Sequence, residues 1–223
     1  MVKPLSTENN FSYLTIALVL LLFSSAIVDE FFSDHGQRLV PATIILTLII
    51  GIWSLKSNKT WFRSGIGFIV ALLIIVFINY LFDIAELEIL QLIILLGFFI
   101  WTTYLAARQV LFTGVIDGHK VIGSICIYLL LGLSWTILYL LILELNPVAF
   151  NGLTAASWYV NFPVVSYYSF VTLTTLGYGD ISPVMPLARF LVFMEAIVGV
   201  FYMAILVASL IGAKISGYHP EEK

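Results

Sequence analysis

The chain has 223 residues, of which 61% are hydrophobic and only 10% are charged. Soluble domains contain about 45–50% apolar and about 25% charged residues, so the composition excludes a soluble globular domain and a disordered tail. The formal net charge of −3 provides no basic surface for nucleic acid. The sequence therefore predicts an integral membrane protein that contacts lipid and binds no nucleic acid.

Few side chains could support metal or redox chemistry. Cys126 is the single cysteine in the sequence, which excludes an internal disulfide and a cysteine-based metal cluster. The three histidines, His35, His119 and His219, fall in separate polar stretches and form no paired-ligand motif. A membrane enzyme would also need paired carboxylates, or a nucleophile with its base, at membrane depth. We therefore expect no cofactor and no enzymatic activity.

Six apolar stretches of roughly 17 residues or more are long enough to cross the hydrocarbon core as helices. They are Phe11–Val28, Leu39–Leu55, Ile66–Phe82, Ile89–Ala107, Val121–Leu143 and Ala188–Ala213. The first could instead be a cleaved signal peptide, but it is longer than a signal core and no small-residue cleavage site follows, which favours a retained helix. The predicted fold is an all-α integral membrane fold. It has a four-helix N-terminal domain over 1–120, a second membrane domain over 121–213 and a short tail over 214–223.

Basic residues are distributed unevenly between the two sides of this arrangement. With the N-terminus inside, the inner segments hold eight lysines and arginines and the outer segments hold two. Acidic residues collect in the outer loops that begin at Asp29 and Asp83. Because Lys and Arg favour cytoplasmic loops, we expect both termini to be cytoplasmic in a multi-pass protein of the plasma (cell inner) membrane.

The longest stretch between spans, Glu144–Leu187, lies on the outer side and is too apolar for a solvated loop. Proline suits the first position of a helix, so a helix is expected over Pro163–Thr174. Its length of about 18 Å, at 1.5 Å per residue, would cross half a bilayer. Gly177 and Gly179 follow on either side of Tyr178 and permit unusual backbone conformations. This segment is therefore predicted to re-enter the membrane.

The sequence Thr-Leu-Gly-Tyr-Gly at 175–179 resembles the selectivity filter of potassium channels, which is normally Thr-Val-Gly-Tyr-Gly. Asp180 matches the acidic residue that follows that filter, and Tyr167-Tyr168-Ser169 matches an aromatic-aromatic-Ser element of the family's pore helix. With its flanking helices the resemblance covers about 90 residues. It implies a pore helix over 163–174 and a filter loop over 175–179, between the fifth and sixth spans.

The resemblance also implies roles for individual residues. Carbonyls of Thr175, Leu176, Gly177 and Tyr178, repeated in four subunits, would bind K⁺ in rings that replace its hydration shell. Gly179 completes the filter, while Thr174, Asp180, Tyr167 and Tyr168 would support it. Leu176 replaces the usual valine, but its contribution is a backbone carbonyl. A homotetramer is implied, because one chain cannot enclose such a pore.

Two residues of the sixth span are candidates for further roles. Glu195 is a carboxylate well inside a span, where acids are costly and usually functional or paired. It is expected to support the filter by hydrogen bonding to the filter or pore helix; a structural pair with Arg189 or a tyrosine is the alternative. Gly199 lies where potassium channels often have a gating hinge. Close helix packing is the equally weighted alternative for this glycine.

A voltage sensor needs several Lys or Arg at three-residue spacing in one helix. The fourth span has none, and Arg108 lies at its inner end. The sequence therefore predicts a passive potassium-selective channel without strong voltage gating. A weakly selective cation channel and a non-conducting regulatory membrane subunit remain the alternatives.

Overall fold

The computed structural model describes residues 10–31, 40–54, 59–82, 86–111, 118–154 and 156–216. The predicted tail over 214–223 lies largely outside these residues, as does His35. Seven helices and two short strands form the described part of the chain. They are α1 (Asn10–Phe31), α2 (Val40–Ser54), α3 (Lys59–Phe82), α4 (Glu86–Leu111), α5 (Gly118–Leu145), β1 (Phe150–Asn151), α6 (Trp158–Leu173), β2 (Ser182–Pro183) and α7 (Pro186–Ser216).

Apolar sequence and internal hydrogen bonding explain why the chain is helical. A helix satisfies its own backbone N–H and C=O groups, which a lipid environment requires. Several hydroxyl side chains follow the same rule: Thr15, Ser25 and Thr102 each donate to a carbonyl three or four residues earlier in their own helix. Such bonds remove the cost of placing a hydroxyl group among apolar neighbours.

Four helices of the described chain are long and apolar enough to cross a membrane. They are Phe11–Phe31, Glu86–Val110, Val121–Leu145 and Pro186–Leu206. Two shorter apolar helices, Val40–Trp53 and Gly65–Asn79, correspond to the second and third predicted spans. The protein is therefore a membrane protein, and the count of six spans stays a prediction.

The helix α5 lies at the centre of the packing. Its buried residues Leu130, Leu133, Ile137 and Leu140 recur at helical spacing and form one apolar face. The helices α1, α4 and α6 pack around α5, and α7 contacts α6 and α5. Within the chain α7 is the least covered of the long helices: 11% of its most apolar window is buried, against 39–56% for the other three.

A two-stranded antiparallel sheet joins the segment after α5 to the segment before α7. Phe150 pairs with Pro183 and Asn151 pairs with Ser182. The chain around this sheet is close-packed, because a Cβ added to Gly152 would lie 2.5 Å from the carbonyl oxygen of Asp180. The sheet therefore fixes the position at which the chain leaves the loop after α6.

Candidate functional site

The helix α6 begins earlier than the sequence predicts. It starts at Trp158 and ends at Leu173, so the expected start at Pro163 is wrong. Pro163 lies inside the helix, where it cannot donate to the carbonyl of Tyr159 four residues earlier. The sequence rule failed because proline favours a first helical position but does not require one.

Two buried contacts hold the first turns of α6 in place. The indole Nε1 of Trp158 donates to Oε1 of Gln91 on α4 at 3.2 Å. The Nδ2 of Asn161 donates to the carbonyls of Thr154 and Ala156, each at 3.0 Å. The start of α6 is thus fixed by a side chain from a distant helix and by backbone carbonyls of the preceding loop. Local sequence does not indicate the contact with the distant helix.

The backbone after α6 folds back onto the helix through its N–H groups. The bonds are Thr174 to Phe170 O at 3.0 Å, Thr175 to Thr172 O at 2.9 Å, and Leu176 and Gly177 to Val171 O at 2.9 and 3.2 Å. Among the described residues, no donor reaches the carbonyl oxygens of residues 174–178. Residues 174–180 are all exposed. The N–H groups of residues 174–177 are therefore bonded to α6, while the carbonyl oxygens of residues 174–178 are free.

Positive φ angles occur at every second residue of this loop. They are 60° at Thr175, 55° at Gly177 and 81° at Gly179. Thr175 is the one non-glycine residue with positive φ in the described chain. This conformation costs a β-branched residue about 1–3 kcal/mol and persists only where its surroundings impose it.

The two tyrosines of the predicted aromatic element differ in environment. Tyr168 is buried, and its ring lies 5.5 Å from that of Tyr139 and 5.7 Å from that of Phe150. Tyr167 is exposed, and its hydroxyl lies within electrostatic reach of the Asp180 carboxylate after the loop. These tyrosines therefore link α6 both to α5 and to the segment that follows the loop.

Glu195 is fully buried and joins three helices. Ser169 on α6 lies 2.6 Å from its Oε1, and the Tyr139 hydroxyl on α5 donates to its Oε2 at 2.5 Å. Arg189 is not its partner, since Nε of Arg189 donates to the carbonyl of Pro183. The contact with α6 and the contact with a tyrosine, which the sequence offered as alternatives, are thus present together.

Gly199 lies directly against the end of α6. A Cβ at this position would come within 2.0 Å of the carbonyl oxygen of Leu173, so only glycine allows the observed approach of α7. The same carbonyl accepts a hydrogen bond from the Tyr128 hydroxyl at 3.2 Å. The helix α7 is continuous through Gly199. These contacts give the glycine a packing role, while the hinge stays a prediction.

Sequence reasoning missed several residues of this site. Tyr139 and Gly132 on α5 are 56 and 37 residues from their partners Glu195 and Ser169. Nothing in the apolar α5 sequence separates Tyr139 from other tyrosines, so no local pattern could have identified it. Ser169 stands beside the aromatic pair, and its small polar side chain within an apolar helix is the one signal available.

A comparison of the sequence with protein families indicates the kind of protein to which this site belongs. Residues 125–213, from α5 to α7, match a family model described as ion channel. The C-terminal part of the chain is therefore similar to an ion-channel domain. No curated protein and no solved structure matches the chain. The matched segment contains the exposed loop after α6, which in an ion-channel domain is the candidate site for ion passage.

Proposed function

We propose that the protein is a potassium-selective channel that conducts K⁺ passively as a homotetramer. The observation that carries the proposal is the loop at 174–178, where the carbonyl oxygens are free and the preceding N–H groups are bound to α6. A cation entering the membrane must exchange its hydration shell for other oxygens, and rings of backbone carbonyls supply them in potassium channels. Free carbonyl oxygens suit a cation and not an anion.

The backbone conformation of the loop supports the same function. In an extended strand successive carbonyls point in opposite directions. Alternation of left-handed and right-handed residues reverses every second peptide, so successive carbonyls can face one side. The loop shows this alternation, because φ is positive at Thr175, Gly177 and Gly179. The Thr175 hydroxyl would add the innermost ring of oxygens.

Four subunits are required because one loop provides only one carbonyl at each level. Two features of the isolated chain support an assembly. Leu176 and Tyr178 are 56% and 67% exposed, and α7 leaves Phe193, Val200 and Phe201 uncovered. Lipid or neighbouring subunits would cover these apolar side chains, and a fourfold arrangement with α7 lining the axis would also bring the four loops together.

The N-terminal helices are proposed to support the pore without strong voltage sensing. In α4 the basic residue of the described helix is Arg108 in the last turn, so no row of gating charges is present along it. The helices α1 and α4 pack on α5, and Gln91 of α4 binds Trp158 at the start of α6. The proposed orientation, from the distribution of Lys and Arg, places both termini in the cytoplasm and the loop after α6 outside.

The test is the reversal potential of the purified protein in a planar bilayer, with K⁺ on one side and Na⁺ on the other. A value close to the potassium equilibrium potential is expected. Clear current that reverses near zero would instead indicate a weakly selective cation channel, for which Leu176 in place of valine is the sequence reason. Absence of current from folded, assembled protein would favour a regulatory subunit. The control is Gly179→Ala. Alanine strains the positive φ at this position, so the variant is expected to lack a working filter.

A further inference from the structure

Three oxygen–oxygen contacts form a chain through Glu195 and Ser169, two of them at Glu195, and their hydrogens can be counted. Glu195 Oε1 lies 2.6 Å from Ser169 Oγ, Glu195 Oε2 lies 2.5 Å from Tyr139 Oη, and Ser169 Oγ lies 2.8 Å from the carbonyl oxygen of Gly132. Each contact at these distances needs one hydrogen between its two oxygens. The carbonyl oxygen of Gly132 carries no hydrogen and can only accept a hydrogen bond.

The two hydroxyl groups supply only two of the three hydrogens. Tyr139 donates to Oε2, which leaves the single Ser169 hydrogen for both the Gly132 carbonyl and Oε1. If Glu195 is a carboxylate, one of the two Ser169 contacts brings lone pairs together without a hydrogen. If Glu195 carries a proton on Oε1, it donates to Ser169, and Ser169 donates to the carbonyl of Gly132. Each of the three contacts then contains one hydrogen.

Among the residues that the structure describes, no cationic side chain lies against Glu195 to balance a negative charge. The titratable groups that face it are Tyr139 and Tyr128 from α5 and Tyr168 from α6, which are neutral donors at ordinary pH. Arg189 is six residues away on α7, about 9 Å along the axis, and is engaged with Pro183. A buried carboxylate without a cation is costly, so the environment favours the protonated acid.

We propose that Glu195 is a neutral carboxylic acid whose proton completes a hydrogen-bond relay from α7 through Ser169 of α6 to Gly132 of α5. In this role Glu195 is a positioning residue: it holds α6 between the two flanking helices and places no charge behind the candidate filter. Its effect on conduction rests on the proposed channel function, whereas its protonation state does not.

Infrared difference spectroscopy of the purified protein in lipid vesicles tests the protonation state directly. Subtracting the Glu195→Gln spectrum from the wild-type spectrum at neutral pH is expected to reveal the C=O stretch of a protonated carboxyl group, lost in the variant. Ser169→Ala removes the acceptor of that proton and should shift the band. The control Glu86→Gln, at an exposed glutamate in the first turn of α4, should remove carboxylate bands only. Carboxylate bands alone in the Glu195 difference spectrum would overturn the proposal.

Potassium flux into the same vesicles tests the positioning role. The Gln amide can donate to Ser169 and accept from Tyr139, so Glu195→Gln should conduct, whereas Glu195→Leu, which makes neither bond, should lose flux. Equal loss in both variants would overturn the positioning role. A wild-type protein that shows the infrared band but no flux would contradict the proposed channel function and leave the protonated Glu195 established, so the two failures are distinguishable.

Discussion

The carbonyl oxygen of Leu173 occupies the space that a side chain at Gly199 would need. A Cβ added to Gly199 would come within 2.0 Å of that oxygen and 2.9 Å of the Leu173 carbonyl carbon. Both atoms belong to the backbone at the end of α6, so they cannot rotate away as a side chain could. The approach of α7 to α6 therefore depends on the absence of a side chain at this position.

Gly199→Ala is expected to lower the free energy of unfolding by about 1–3 kcal/mol, because overpacking forces the two helices apart. The matched control is Gly67→Ala in α3, where an added Cβ meets nothing within 4 Å. In the control the better helix propensity of alanine should stabilise the protein by up to about 1 kcal/mol. Denaturant unfolding in detergent, followed by circular dichroism, measures both. Equal effects of the two substitutions would contradict the packing role of Gly199.

A second close approach, between α5 and α6, predicts a compensating pair of substitutions. A Cβ on Gly132 would lie 2.5 Å from the ring of Phe170. Gly132→Ala alone should destabilise the protein by about 1–3 kcal/mol. Phe170→Leu in the same chain should recover part of this loss, because the smaller side chain vacates the space of the ring. A double-mutant cycle is expected to give a coupling energy of about 0.5–3 kcal/mol, and strict additivity would show that Phe170 simply rotates aside.

The sequence predicts the helices of the C-terminal part of the chain better than the contacts between them. The glycines in 175–179 predict unusual backbone conformations, and positive φ angles are observed at Gly177 and Gly179. The positive φ at Thr175 could not be expected from a β-branched residue. Its backbone N–H bonds to Thr172, so the conformation follows from how the loop is attached to α6.

The start of α6 and the partners of Glu195 depend on tertiary structure. Pro163 indicates a helix start locally, yet Trp158 begins the helix five residues earlier and its indole binds Gln91 of α4. Similarly, helical spacing could place Glu195 near α6, but it could not identify Tyr139 of α5 as a partner. Such choices are made by packing between helices that are distant in sequence.

The hydrogen bond from Tyr139 to Glu195 predicts a stability effect that can be isolated. Tyr139→Phe keeps the buried ring and removes only the donor to Oε2, which leaves a buried acceptor without a partner. The expected loss is about 1–3 kcal/mol in the free energy of unfolding. Tyr104→Phe is the control, because the Tyr104 side chain is 56% exposed. Chemical denaturation of both variants decides the point: a loss no larger than that of the control would mean that the contact contributes little.

If the loop at 175–178 binds potassium, the folded protein should be more stable when potassium is present. A ligand that binds only the native state stabilises it by about 2.7 kcal/mol when its free concentration is 100 times Kd. Thermal unfolding in KCl should therefore occur at a higher temperature than in the chloride of a bulky organic cation at equal ionic strength. Gly179→Ala should abolish this difference, because φ is +81° at this residue and alanine strains the loop. Gly67→Ala, remote from the loop, should retain it.

Wild-type protein that unfolds at the same temperature in both salts would argue against a potassium site in the loop. An equal rise in the unfolding temperature in NaCl would indicate a site without selectivity.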